Sequence, residues 1–246
     1  MKLLVDFGNT RLKWAIWKDA KHSMGGVFAH ADTSLEAALS SNWAALGQPE
    51  AILVASVVNA ELEQQLSELI KVHFDCEAEF VRSPAAAIGI RNAYAEPARL
   101  GVDRFLGLAA LHASAQRAQI LVSCGTALTL DAIDAEGRHL GGLIAPSPAL
   151  MRSAVGSGTA RVGEEHGELV EIATCTADAV WSGSVLSAVA LIERFHATVV
   201  ARLGAPVAVV GDGGGLEEWM HLLPNIERGR DLVVRGLALW SESGGR

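Results

Sequence analysis

Cysteine is scarce in this chain of 246 residues: Cys76, Cys124 and Cys175 stand far apart, with no Cys-x-x-Cys pair. Such a set fits neither a disulfide framework nor a zinc site, and it points to a reducing compartment. Positive charge is also short. The 20 Lys and Arg face 28 Asp and Glu, for a net charge of -8, which excludes a general attraction to nucleic acid or to anionic lipid. Any phosphate ligand must therefore be received locally, by backbone N–H groups, a few basic side chains and a divalent cation. No run approaches the roughly 18 apolar residues of a membrane helix, and MKLLVDFGNT reaches a carboxylate too early for a signal peptide. A soluble, cytoplasmic protein is expected. The eight histidines show no metal-ligand spacing; His139 and His166, in expected turns, read as solvated.

What the chain does have is the same pattern written twice. Residues 3 to 6, LLVD, form a short strand run that ends in a carboxylate, followed by Phe7-Gly8-Asn9-Thr10 and then by the strand-like RLKWAIW. Residues 120 to 124, ILVSC, lead likewise through Gly125-Thr126-Ala127 into LTLDAID. The long period argues for a domain duplication rather than a solenoid array. Between the two lie a helix around 35 to 46, a strand at 51 to 57 and an amphipathic helix with Leu62, Leu66, Leu69, Ile70 and Phe74 on one face and Asn59 as its cap. Strand AEFVR and a long Pro/Gly/Ala-rich loop lead into a helix through DRFLGLAALHASA. The second half continues with strands near 127 to 134 and 138 to 144, a helix after Pro146, and a long helix from the candidate cap Thr176. Then come strand PVAVVG, a glycine-rich turn at 211 to 215, and closing helices containing Trp219 and DLVVRGLALW. Alternating strands and helices predict α/β domains. Trp14, Trp17, Trp181, Trp219 and Trp240 read as core residues.

A Gly-Thr turn between strands offers what a phosphate needs: glycine lets the backbone approach, successive N–H groups point outward, and the hydroxyl adds a donor. Asp6 is placed to hold a magnesium ion through water, and Lys13 to meet phosphate charge. On the residues alone Asp103 is either a catalytic base or a helix-start acid, and Arg104 either an anion clamp or half of a surface ion pair. Thr176 is a helix cap or a ligand contact. The turn at 211 to 215 is a flexible helix start or a nucleotide contact.

DFGNTRLKWAIW, GVDRFLGLAA, CGTALTLDAIDAEGRHLGGLIAP, GTARV at 158 to 162, TADAVWSG at 176 to 183 and the terminal VVRGL together resemble the type III pantothenate kinases, which are related to Bvg accessory factor proteins. The resemblance spans nearly the whole chain in order. It implies two tandem ribonuclease H-like (actin-like ATPase) domains of α/β class, 1–118 and 119–246, with an active-site cleft between them. It also implies magnesium-ATP and pantothenate as substrates, the first step of coenzyme A synthesis, and a homodimer with shared sites. Residue by residue, Asp103 matches the catalytic aspartate, and Tyr94, Gly101, Val102, Asp103, Arg104 and, from the partner subunit, Thr176 match the acceptor site. Asp6, Phe7, Gly8, Asn9, Thr10, Arg11, Leu12, Lys13 and Thr126 match the ATP site. The chain departs from the pattern at Ser123, where many relatives carry an aspartate that binds potassium or ammonium. A two-metal nuclease of related fold would need clustered carboxylates, which the acidic, glycine-turn pattern does not supply. A catalytically silent regulator of the same fold stays open as the alternative.

Overall fold

The computed structural model describes residues 1–19, 21–30, 34–159 and 165–244. The chain divides into two compact units, Met1–Ser114 joined by the C-terminal segment from Asp231, and Ala115–Arg230. A linear division at 118 and 119 differs from this in two respects: the boundary falls at 114 and 115, and the last helix returns to the first unit, where its apolar face packs.

In the first unit β1 (Lys2–Phe7) pairs antiparallel with β2 (Arg11–Lys18), which pairs with β3 (Lys21–Ala29); on its other edge β1 runs parallel to β4 (Ala51–Ser56), and β4 to β5 (Ala78–Val81). The sheet order is thus β3-β2-β1-β4-β5. Helices α1 (Leu35–Trp43) and α2 (Ala60–Phe74) cover one face. There Leu3, Val5, Phe7, Leu12 and Trp14 meet Leu39, Trp43, Leu66, Ile70 and Phe74 in a single core. Burying each such side chain contributes about 1.5–3 kcal/mol. The Asn59 side chain accepts the Leu62 N–H at 3.0 Å, as its cap position predicts, a contribution of about 1 kcal/mol. The opposite face carries α3 (Val102–Ser114) and α6 (Leu232–Ser243), which pack on each other and on the β1 and β4 strands.

The second unit repeats the plan. Its sheet order is β10-β9-β8-β11-β12, built from β8 (Gln119–Cys124), β9 (Ala127–Ile133), β10 (His139–Pro146), β11 (Ala208–Asp212) and β12 (Ile226–Arg228). Helix α4 (Pro148–Gly158) packs on α5 (Thr176–Leu203). By length and composition α5 is apolar enough to cross a membrane, against the expectation that no run approaches that length. Its stripe of Val185, Ala188, Val189, Ile192 and Val199 instead lies in a core with Ile120, Val122, Cys124, Leu128 and Leu130.

Several expectations need correction. His139 is not solvated: it is buried in the β9–β10 hairpin with its Nε2 3.0 Å from Asp131 Oδ1. Trp219 stands among short 3-10 turns rather than in an α-helix, although it is fully buried as expected. Trp14 is buried too, while Trp17, Trp181 and Trp240 are only half-buried. His166 is exposed, with its ring 4.1 Å from that of Trp181. Most of GTARV lies outside the described residues.

Gly236, the glycine of VVRGL, explains how α6 seats on α3: a Cβ there would lie 2.3 Å from the Leu106 carbonyl oxygen. Helix propensity favours alanine over glycine by about 1 kcal/mol. Gly236→Ala is nevertheless expected to destabilise the protein by about 1–3 kcal/mol, the usual cost of overpacking, read as a lower urea midpoint. An unchanged or higher midpoint would show that α6 does not rest on Leu106.

Candidate active site

Alternation along β1 and β2 sorts the first motif. Phe7 and Leu12 are fully buried on the α1–α2 face, so they can offer a ligand only their main chain. Asp6 and Lys13, register partners across the hairpin, therefore project to the opposite face, where α3 and α6 pack. The Gly8 N–H donates to the Arg11 carbonyl at 3.0 Å and closes the turn, leaving Asn9, Thr10 and Arg11 exposed at its tip. Among the described residues no three His, Cys, Asp or Glu side chains gather as a metal cage. A cation beside Asp6 would take the remaining ligands from phosphate oxygens and water, which is how magnesium is commonly held.

The turn is tied to the carboxyl end of the neighbouring β4 by Val57, whose N–H donates to the Phe7 carbonyl at 3.1 Å. Val57 lines a cavity of about 340 Å³ with Ser56, Arg82 and Ser83, and with Gly101 and Val102 at the start of α3. This is the edge beyond the carboxyl ends of parallel strands, where open α/β sheets bind ligands.

Asp103 lies in the first turn of α3, and its Oδ1 accepts the Arg104 N–H at 2.8 Å. Gly101 makes that pose possible, because a Cβ there would lie 2.6 Å from Asp103 Oδ1. Arg104 is only 6% exposed, which removes the surface ion pair; its Nη1 donates to the Tyr94 hydroxyl at 3.2 Å. Tyr94, Gly101, Asp103 and Arg104 are thus brought together. The loop expected to carry Tyr94 is more ordered than its composition suggests. It contains a hairpin, β6 (Ala86–Ala87) and β7 (Ile90–Arg91), turning through Ile88 and Gly89 at positive φ. Sequence reasoning missed Asn92: its Oδ1 accepts the Tyr94 N–H at 3.0 Å, and its Nδ2 donates to the Pro84 and Pro97 carbonyls. An asparagine in a Pro/Gly-rich segment was the available signal.

In the second unit the Gly125 N–H donates to the Ala127 carbonyl at 3.0 Å, and Thr126 is exposed beside it. A Cβ on Gly125 would meet nothing within 4 Å, so the fold itself does not demand glycine there. The turn at 211 to 215 is different. A Cβ on Gly213, at φ 100°, would lie 2.4 Å from the Cys124 carbonyl oxygen, and one on Gly215 2.8 Å from Cys124 Sγ. Packing against the end of β8 therefore accounts for both glycines without a ligand. The same burial pushes the Cys124 thiol up to about 11. Ser123 stands in register with Thr129 on one side and Asp212 on the other, on the face away from α5. Thr176 is the first residue of α5 rather than its cap; Cys175 holds the cap position and makes no capping bond. Nearby Asp178 Oδ1 accepts the Glu168 N–H at 2.8 Å, which with the Cys175 thiol holds its carboxyl below the usual carboxylate range.

The type III pantothenate kinase profile matches residues 2–198. A type III pantothenate kinase of Nitrosococcus oceani is 36% identical over 246 residues, covering 97% of this chain and 92% of the relative. One from Xanthomonas campestris pv. campestris is 38% identical over 238 residues, covering 97% and 96%. Among solved structures, one described as a Baf family transcriptional activator from Campylobacter jejuni superposes with a TM-score of 0.63 at 19% identity over 99% of this chain and 100% of its own. Another, described as a 2-dehydro-3-deoxygalactonokinase from Sinorhizobium meliloti, gives 0.60 at 15% identity over 98% and 96%. At such identities the structures bear on fold alone, and the fold they share is that of the actin-like ATPases and sugar kinases. The curated relatives carry the assignment through their identity along almost the whole length of both chains, and on that ground this chain belongs to the type III pantothenate kinase family.

Proposed function

We propose that the protein is a cytoplasmic ATP-dependent pantothenate kinase, which moves the γ-phosphoryl group of ATP to the primary hydroxyl of pantothenate and so starts coenzyme A synthesis. The observation that carries the reading lies within the first unit. One sheet edge bears a phosphate-type turn, with Asp6 and Lys13 on the α3 face, and a cavity reaching Gly101 and Val102, beside Asp103.

Phosphoryl transfer asks the protein mainly for position and charge. The exposed Gly8–Arg11 turn presents main-chain N–H groups to phosphate, and the Gly125–Ala127 turn with Thr126 offers the same chemistry. Lys13 adds positive charge. A magnesium ion held by Asp6 would neutralise charge on the phosphates. Asp103, its Oδ1 oriented by the Arg104 amide, takes the proton from the acceptor hydroxyl. Arg104, buried against Tyr94, presents a guanidinium suited to the carboxylate of the acceptor. Water is the competing acceptor, and the aromatic ring of Tyr94 helps to exclude it.

Thr176 acts on the acceptor of a partner subunit in this reading, in a homodimer. Exposed apolar side chains support an interface on the second unit: Leu143 and Ile144 on β10, Leu150 and Val155 on α4, Ile172, and Leu186 on α5. Strand β10 packs on α4, and α4 on α5, so most of these residues belong to adjoining elements.

Asp103→Asn is expected to keep the fold and lower turnover by about 10²- to 10⁴-fold, measured as phosphopantothenate formed. Mixed with Thr176→Ala under subunit exchange, it should regain activity through hybrid dimers. Turnover within a few-fold of the parent would return Asp103 to a helix-start role, and a monomer at assay concentration would remove the shared site.

Ser123 carries no charge, so a monovalent cation has less to offset beside the ATP phosphates than an aspartate there would create. Like charges at 4 Å repel by about 4 kcal/mol at an effective dielectric near 20, before solvent compensates. Turnover is therefore expected to depend little on potassium or ammonium. Ser123→Asp, which sets a second carboxylate in register with Asp212, should introduce the dependence. Titration of potassium chloride against choline chloride measures both. A large saturable activation of the parent would contradict this account and would mean that carbonyl oxygens or another side chain replace the missing ligand.

A further inference from the structure

The orientation of the Gly8 turn is set by a residue that no motif includes. His30 lies just past the end of β3, and its main-chain N–H donates to the Thr10 carbonyl at 3.2 Å. Its ring Nε2 is 2.8 Å from the Gly8 carbonyl, and the ring stands edge-on to Phe7, with centroids 5.2 Å apart at 75°. A carbonyl oxygen only accepts, so Nε2 carries the hydrogen. Two carbonyls of one turn are thus drawn toward a single side chain and its backbone.

In a trans peptide the C=O and N–H groups point in opposite directions. Holding the Gly8 carbonyl toward His30 turns the Asn9 N–H away from it, and holding the Thr10 carbonyl does the same for Arg11. Glycine by itself does not hold that choice, because its backbone rotates between wells that other residues avoid. The Gly8 N–H is already spent inside the turn, on the Arg11 carbonyl. The Asn9 amide, at the exposed tip, is then the group whose direction matters most to an arriving phosphate.

We infer that His30 is a positioning residue for the nucleotide: through its ring hydrogen bond to the Gly8 carbonyl it locks the Gly8–Asn9 peptide with the amide facing the phosphates. This rests on the reading of the turn as an ATP site. His30 touches no reacting atom, so its loss should weaken the nucleotide's hold and leave the acceptor's hold as it was.

The test compares His30→Ala, His30→Gln and His30→Asn with the parent, in steady-state kinetics for each substrate and in calorimetric binding of magnesium and a non-hydrolysable ATP. The Gln amide reaches as far as the His Nε2 and donates; the Asn amide stops short. Losing one orienting hydrogen bond should raise the KM for ATP, and the Kd of the analogue, about 3- to 10-fold in His30→Ala and His30→Asn. His30→Gln should stay within about twofold of the parent, and the KM for pantothenate should stay within about twofold in all three, a twofold change being only about 0.4 kcal/mol. An ATP KM unchanged in His30→Ala, or equal losses for both substrates, would overturn the inference. If His30→Ala does not fold, His30→Gln and His30→Asn decide it, and identical behaviour of these two overturns it. A parent that binds the analogue yet makes no phosphopantothenate would sink the kinase reading instead, and the calorimetric series would still judge His30.

Discussion

Strand β1 is hydrogen-bonded along both edges, antiparallel to β2 and parallel to β4, and the placement of the site in the first unit follows from that double pairing. The antiparallel edge needs a tight reversal at the end of β1, which is the Gly8 turn. The parallel edge brings the carboxyl end of β4 to the same side, so Ser56 and Val57 arrive beside Phe7. Register decides the rest. With Leu3, Val5 and Phe7 committed to the α1–α2 core, Asp6 has one direction left, toward α3 and α6. A slip of one residue would bury the carboxylate among Trp43 and Ile70 and turn three large apolar side chains away from that core, toward α3 and α6.

The second sheet applies the same constraint with different chemistry. Ile120, Val122 and Cys124 commit to α5, which leaves Ser123 on the opposite face between Thr129 and Asp212. The position equivalent to Asp6 is therefore neutral here, and the nearest register carboxylate sits one strand away, where its Oδ1 accepts the Gly213 N–H at 2.8 Å. Two turns of similar composition thus differ in charge because of one side chain, while the backbone that frames them is alike.

Much of this was legible in the sequence, for physical reasons that can be named. The strand–turn–strand motifs declare themselves because both strands are nearly continuous apolar runs broken by small polar residues. The cap of α2 is a local hydrogen bond, and Asn59 announces it. Less local facts stay hidden. KHSMGGVFA has too little alternation to read as β3; it is a strand because β2 offers an edge and because Gly25 and Gly26 leave room for the Trp14 indole, which a Cβ on Gly25 would approach to 1.9 Å. The return of α6 to the first unit depends on Gly236 fitting against Leu106. The glycines at 213 and 215 pack against the end of β8, which the sequence does not announce. His30 and Asn92 themselves belong to no motif, and their roles exist only once the carbonyls they meet are in place.

The central claim is that oriented main-chain N–H groups of the Gly8 turn receive the phosphates, and amide hydrogen exchange on the intact protein tests it directly. Adding magnesium and a non-hydrolysable ATP should slow exchange in the segment spanning residues 7–13, with the Asn9 and Arg11 amides among those protected. Exchange in that segment unchanged at saturating nucleotide, with the nucleotide demonstrably bound, would contradict the account and move the phosphates to another part of the molecule.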